Sequence, residues 1–263
     1  MALADVIIII SRTGGAFASR WLHVVVGITW IGLLYYFNFV QVPAFAEMEA
    51  AARNNAVDKL ASRALWWFRW AAVLTLVTGI LILLFQKDGD KSQLFSGDYM
   101  KSVPGMSIAT GVLLAVTMFL NVWLVIWPNQ RKVIANARNV QAGGEADPDA
   151  AAAGRKALLA SRMNAIFSFT MLMFMVGTSH FFSPSTQLGR KLGWKSAPTG
   201  SERATYWAIV LVIWIVFELK ALGVGGTKPG GANIIFDTHK AAIITGLILV
   251  IVYYGVFYLV LKA

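Results

Sequence analysis

Cysteine is absent from the 263 residues, and charged side chains are scarce at 14% of the chain. The lack of cysteine excludes disulfides, thiolate metal sites, iron–sulfur clusters and covalent attachment of c-type haem. A soluble domain of this length carries roughly 25% charged residues. The low charge content therefore points away from a soluble enzyme.

Apolar residues make up 57% of the chain, and they are gathered into long blocks. A helix of about 20 apolar residues crosses a bilayer core of roughly 30 Å. The blocks predict spans near residues 20–41, 65–85, 105–127, 163–182, 204–222 and 239–261. The sequence therefore predicts an all-α integral membrane protein, a single domain over residues 1–263 built as a bundle of about six transmembrane helices. The apolar run at 6–10 is too short to span and is expected at the membrane surface.

The longest connection, residues 128–162, contains Gly, Pro and acidic residues and is predicted to be the main extramembrane loop. Residues 42–64 are predicted to form a shorter polar loop. We call the N-terminal side of the membrane side A and the opposite side, which holds both loops, side B. Side B carries more Lys and Arg, which predicts that it is cytoplasmic. The net charge of +10 resides largely in such short connections, which favours lipid headgroups over nucleic acid as its partner.

Histidine occurs three times, and His23 and His180 are predicted at matching depth near side A. Helical spacing places small and apolar residues on the same stripes, namely Gly27 and Trp30 with His23, and Met173 and Gly177 with His180. Two facing imidazoles with adjacent glycines predict a b-type haem whose iron both histidines ligate. A structural hydrogen bond, a zinc or copper site and a proton-transfer role are the alternatives. His239 lies at side B without a matching histidine.

Other polar residues fall inside the predicted spans, namely Asn38, Arg69, Asn121, Asn164 and Glu218. Such residues usually face the bundle interior and have a partner. Glu218 is expected to pair with Lys220 at the interface, or with His239 in a proton path.

Three stretches resemble the membrane domain of the bacterial membrane-bound urate hydroxylase family (urate oxidase N-terminal domain). They are Arg-Trp-Leu-His through Trp-Ile-Gly at 20–32, Trp-Pro-Asn-Gln-Arg-Lys at 127–132, and the stretch from Ser-Arg-Met-Asn to the histidine at 161–180. The resemblance implies a haem-b oxidoreductase or electron-transfer subunit in the bacterial inner membrane. It also implies that Arg131, Arg162 and Asn164 form a site at side B for a small anionic planar substrate such as urate.

The family's cytochrome c domain has no counterpart in these 263 residues. The resemblance therefore implies a short form that passes electrons to a separate cytochrome c or acts within a larger membrane complex. The alternative function is a non-catalytic membrane subunit that packs against or assembles a respiratory or oxygenase complex.

Overall fold

The computed structural model describes residues 12–262, so the apolar run at 6–10 lies outside the described residues. Within the described part, six helical stretches are long and apolar enough to cross a membrane. They are Thr13–Glu47, Ala50–Phe85, Val103–Gln141, Ala150–His180, Gly200–Ala221 and His239–Leu261. The predicted all-α fold and the six spans are confirmed.

The first three long stretches each contain a π-helical segment. The first consists of α1 (Arg12–Tyr35), the π-helix Tyr36–Gln41 and α2 (Val42–Glu47); the second of α3 (Ala50–Ala56), the π-helix Val57–Ala61 and α4 (Ser62–Phe85). The third consists of α6 (Val103–Leu120), the π-helix Asn121–Ile126 and α7 (Trp127–Gln141). The remaining three are α8 (Ala150–His180), α10 (Gly200–Ala221) and α11 (His239–Leu261).

Short elements connect these stretches. A two-stranded hairpin, β1 (Lys87–Asp88) and β2 (Lys91–Ser92), precedes a 3-10 turn at Gln93–Phe95 and the short helix α5 (Gly97–Lys101). Helix α9 (Gln187–Leu192) lies between α8 and α10, and a 3-10 helix, Gly231–Phe236, lies between α10 and α11.

The predicted extramembrane loop at 128–162 is largely helical. Helix α7 continues to Gln141 and α8 begins at Ala150, which leaves only 142–149 outside a helix. Helix α7 starts here because Pro128 stands in its first turn, where proline costs a helix little. That 128–162 is the main extramembrane segment stays a prediction. The alanine-rich run after 149 extends α8. Residues 42–64 are likewise mostly helical rather than a polar loop.

Helix α8 is the central helix of the bundle. It packs against α6, α7 and α11, and 67% of its most apolar window is buried, compared with 39% or less in the other five stretches. Polar side chains face this centre, among them Asn38, Ser107, Asn121 and Asn164, whereas outer faces expose side chains such as Ile28. Apolar residues outside and polar residues inside are what a bundle in a bilayer requires.

Candidate functional site: a cavity near side B

A cavity of about 160 Å³ lies where the first four long helical stretches meet at their side B ends. It is lined by Phe37, Gln41, Val42, Leu65, Phe68, Ile126, Gln130, Gly154, Ala157, Leu158 and Ser161. A water molecule takes about 30 Å³ of liquid volume, and pockets for drug-sized ligands begin near 300 Å³. The volume therefore suits a few waters or one small, compact molecule.

Two π-helical segments form part of the cavity wall. Tyr36–Gln41 precedes Pro43 in the next helix, and Asn121–Ile126 precedes Pro128. A proline within a helix cannot donate to the carbonyl four residues earlier, and its ring collides with that carbonyl. The wider π turn accommodates this defect, and such turns are frequent at functional sites. Here they place Gln41 and Ile126 at the cavity.

Buried amide oxygens at this end of the bundle lack hydrogen-bond partners among the described residues. Gln41 Oε1, on the cavity wall, and Asn38 Oδ1 are both in this state. The Asn38 amide nitrogen donates to Leu34 O at 2.9 Å and to Ser161 Oγ at 2.8 Å, which fixes the serine at the cavity. An unsatisfied buried acceptor costs about 1–3 kcal/mol. A ligand N–H or a water in the cavity would satisfy Gln41.

An aromatic pair forms the apolar part of the wall. The rings of Phe37 and Phe68 meet edge to face at 5.4 Å, and both residues are buried. The lining residues include no charged side chain. Because burying an uncompensated charge is costly, the cavity favours an uncharged, flat molecule with hydrogen-bonding groups at its edge.

The His23 imidazole packs against α4. Its Nδ1 lies 3.0 Å from Thr78 Oγ1, and Thr78 donates its own hydroxyl proton to Leu74 O at 2.7 Å. Thr78 therefore accepts from Nδ1–H, which leaves Nε2 as the nitrogen with a free lone pair. Gly79 lies beside the ring, since a Cβ there would lie 3.2 Å from His23 Cε1, whereas a Cβ on Gly27 would meet nothing within 4 Å. The predicted role of Gly27 stays a prediction.

His180 has different surroundings. It is exposed at the last position of α8, and its carbonyl accepts from Thr186 Oγ1 at 3.4 Å. The Phe182 ring covers the face of Gly177 that the predicted haem would need, because a Cβ there would collide with that ring. Met173 packs against the core.

The remaining residue of the predicted haem site, Trp30, is buried, and its Nε1 has no hydrogen-bond partner among the described residues. The side chains thus fit a two-histidine haem poorly: His23 keeps one nitrogen free for a ligand, but the Gly177 face is already occupied. Haem b on His23 and His180 stays a prediction.

The three residues of the predicted anion site have partners on three different elements. Arg131 is exposed, with its Cζ 5.9 Å from the Trp127 ring centre. Arg162 is 3% exposed and donates to the carbonyl of Phe236. Asn164 donates to Met118 O at 2.9 Å. None of the three lines the cavity, although Arg131 and Arg162 each follow a lining residue in the chain.

Glu218 belongs to a buried chain of amides instead of a surface ion pair. Its Oε2 accepts from Asn121 Nδ2 at 3.2 Å, and the same nitrogen donates to Asn164 Oδ1 at 3.0 Å. The expected pairing with Lys220 is wrong, since the Lys220 ammonium donates to Val224 O. The alternative pairing with His239 is not found either among the described contacts.

Sequence reasoning singled out Asn38 as a polar residue within a span and included Gln130 in a stretch of the family resemblance, but it assigned no role to Gln130 and missed Gln41. The signal that could have found them is an amide side chain two residues away from a proline near a helix end, as in Gln41-Val42-Pro43 and Pro128-Asn129-Gln130. Such a proline interrupts the backbone hydrogen bonds of the helix. Within a membrane, backbone groups without these bonds are buried in protein or line a cavity.

In a comparison with known families, the family described as Urate oxidase N-terminal matches residues 91–194. This segment contains the stretches at 127–132 and 161–180, and it confirms the resemblance to the urate hydroxylase membrane domain. It also contains Ile126, Gln130 and the α8 side of the cavity, but not His23 or Gln41. No curated protein and no solved structure matches the chain significantly.

Proposed function

We propose that this chain is a membrane redox domain of the urate hydroxylase type, in which the cavity holds a small planar heterocycle and a separate carrier such as cytochrome c takes up the electrons. The observation that carries the proposal is the unpaired Gln41 Oε1 at the cavity. Gln41 lines the cavity together with Gln130 and Ser161, which belong to two stretches of the family resemblance.

The cavity chemistry suits a heterocycle with amide-type edges. Such an edge alternates N–H donors and C=O acceptors, and a glutamine side chain offers one group of each kind. The Phe37 and Phe68 rings supply apolar contact for the flat face. Because no charged side chain lines the cavity, the uncharged form of the ligand is favoured. Urate is the candidate that the family resemblance names, and the cavity would take it up in its neutral form, uric acid.

The redox balance requires an external acceptor. Hydroxylation of urate with water as the oxygen source releases two electrons and two protons, and two ferric cytochrome c molecules would accept one electron each. The lining residues carry aliphatic, aromatic, amide and hydroxyl side chains, none of which accepts electrons from a substrate. We therefore expect no sustained oxidation by the chain without an added acceptor.

The predicted haem is tested by a reduced-minus-oxidised spectrum of the purified protein. A b-type band that disappears in both the His23→Gln and the His180→Gln variants supports the predicted ligation. No band, or a band that neither variant changes, contradicts it.

The functional test follows urate loss and cytochrome c reduction by protein in lipid nanodiscs. We expect urate loss only with cytochrome c present, at two reduced cytochromes per urate. Gln130→Leu should lower the rate about tenfold, because it removes from the cavity wall one hydrogen-bonding group worth roughly 1–3 kcal/mol. Gln187→Leu makes the same change on an exposed residue outside the cavity and should be neutral. Absence of turnover with cytochrome c would favour the non-catalytic subunit instead.

A further inference from the structure

We propose that Arg69, Arg131 and the Trp127 indole form a binding site for the phosphate of an anionic phospholipid at side B. The Cζ of Arg69 lies 3.4 Å from the centre of the Trp127 ring, and the Cζ of Arg131 lies 5.9 Å from the same centre. Two guanidinium groups thus approach one indole. Like charges brought together in this way repel each other unless an anion compensates them.

Neither arginine forms an ion pair with a described residue. In the part of the chain that the structure describes, the ion pairs involve Asp58, Asp237 and Glu202, and none includes Arg69 or Arg131. The one hydrogen bond found for Arg69 runs from Nε to Leu65 O at 3.2 Å. Its two terminal nitrogens therefore have donor capacity left. A planar guanidinium with free N–H groups matches the oxygens of a phosphate in a forked geometry.

The indole N–H of Trp123 is a further available donor, beside the two terminal nitrogens of Arg69. Trp123 Nε1 is buried without a hydrogen-bond partner among the described residues. The Trp123 ring is next to Arg69, whose Cζ is 5.6 Å from the ring centre. Among the residues that the structure describes, the surroundings of Arg69 hence offer N–H donors from two residue types and no carboxylate in an ion pair with it, which is the environment that an anion needs.

The position of the pair identifies the anion as a lipid headgroup. On the same helix as Arg69, the indoles of Trp66, Trp67 and Trp70 are 49%, 60% and 44% exposed. Exposed indoles of membrane proteins gather at the headgroup level. The arginines therefore lie where phospholipid phosphates lie. The site stands apart from the proposed function, because Arg69, Trp127 and Arg131 do not line the cavity.

Native mass spectrometry of the detergent-purified protein tests the site. The protein is titrated with phosphatidylglycerol or with phosphatidylcholine of the same acyl chains, and lipid adducts are counted. We expect the wild type to prefer phosphatidylglycerol on the order of tenfold, since each basic residue near a headgroup contributes about 1 kcal/mol. The double variant Arg69→Gln/Arg131→Gln should lose this preference.

The matched control is Arg53→Gln/Lys132→Gln, which removes two exposed positive charges from side B. It should keep the preference. Loss of the preference in the control as well as in the test variant would show a general charge effect and overturn the site. An unchanged preference in Arg69→Gln/Arg131→Gln would overturn it directly.

Two further experiments distinguish loss of binding from misfolding, and a lipid ligand from free phosphate. Arg69→Lys/Arg131→Lys keeps both charges but lacks the planar fork, so it should fold and show a reduced preference for phosphatidylglycerol; an undiminished preference would contradict the forked contact. Inorganic phosphate at millimolar concentration should not displace the lipid, whose acyl chains also bind. Complete displacement of the lipid by inorganic phosphate would mean that the arginines bind free phosphate and that the assignment to a lipid is wrong.

Discussion

Asn121 and Asn164 join three helical stretches through their side chains. Asn164 lies on the central helix α8 and bonds both to the Met118 carbonyl and to Asn121, which in turn reaches Glu218 on α10. Asn164 is completely buried. Inside a bilayer, each of these groups would otherwise be left in an apolar medium, so the chain of amides fixes how the three stretches pack.

Replacing Asn164 with alanine should therefore destabilise the bundle. We expect a loss of about 1–2 kcal/mol in the free energy of unfolding, because two interhelical hydrogen bonds disappear and Asn121 loses an acceptor. Thermal unfolding in detergent measures the change. Asn55→Ala, at an exposed position in α3, is the control and should be nearly neutral. A melting temperature equal to that of the wild type would contradict the structural role of the amide chain.

At the scale of elements, two arginines of α8 hold the segment before α11. Arg155 donates from Nη2 to Asp237 Oδ1 at 3.0 Å and from Nε to Thr227 O at 2.7 Å, and Arg162 donates to the Phe236 carbonyl. The segment 226–237 is otherwise stabilised by its own turns, such as Gly230 N–H to Asp237 Oδ2 at 2.7 Å. The buried Arg162 thus has a structural partner that the sequence did not indicate.

Arg155→Ala should loosen this segment without unfolding the bundle. Hydrogen exchange in 226–237 is expected to accelerate about tenfold, because charged hydrogen bonds contribute roughly 1.5–3 kcal/mol and local opening governs exchange. Lys156→Ala removes a neighbouring exposed charge and is the control. Equal exchange in the two variants would show that Arg155 does not hold the segment.

The short helix α5 contains a tyrosine that should respond to alkaline pH. Burial, helped by the nearby Asp88 carboxylate, raises the pKa of Tyr99 to about 12 from its ordinary value of 10.0. Between these two pH values the unfolded chain releases the phenol proton while the folded protein keeps it, so stability falls as pH rises.

Tyr99→Phe removes the ionisable phenol and should therefore abolish this contribution to the pH dependence of the unfolding free energy. Relative to the variant, the wild type should lose at most about 3 kcal/mol of unfolding free energy between pH 10 and 12. If the unfolding free energies of the two proteins changed equally between pH 10 and 12, the burial of the phenol would be contradicted.

For the whole molecule, the six spans place residues 97 and 145 on opposite sides of the membrane, because one span separates them. The natural chain has no cysteine, so single cysteines at these positions can be labelled cleanly. An impermeant thiol reagent added to oriented vesicles should modify only one of the two variants. Labelling of both from the same side would show that the number of spans is wrong.

The sequence was sufficient for the fold because crossing a bilayer requires an apolar block of about 20 residues, and all six blocks are about this long or longer. It was not sufficient for the connections: the third span was predicted to end before Pro128, yet the helix continues beyond a π turn to Gln141. The side-chain sites depend on helix rotation and crossing, which depth alone does not determine. His23 and His180 share a predicted depth, but His23 turns toward Thr78 and His180 is exposed.

The cavity is likewise a property of the assembled bundle, since its lining comes from stretches as distant as Phe37 and Ser161. Of the lining residues, only Gln130 and Ser161 belong to stretches that the family resemblance had singled out in the sequence. Gln41 became significant only when the structure showed its amide oxygen buried and unpaired.

Equilibrium dialysis of urate against the protein in nanodiscs tests the central claim, that the cavity binds a small planar heterocycle. Ala157 lines the cavity and Ala152 is exposed on the same helix, so leucine at either position adds equal volume in different places. We predict saturable binding by the wild type and by Ala152→Leu, and at least about tenfold weaker binding by Ala157→Leu, because the added side chain occupies the cavity. No saturable binding by the wild type, or equal affinity in Ala157→Leu, would contradict the account.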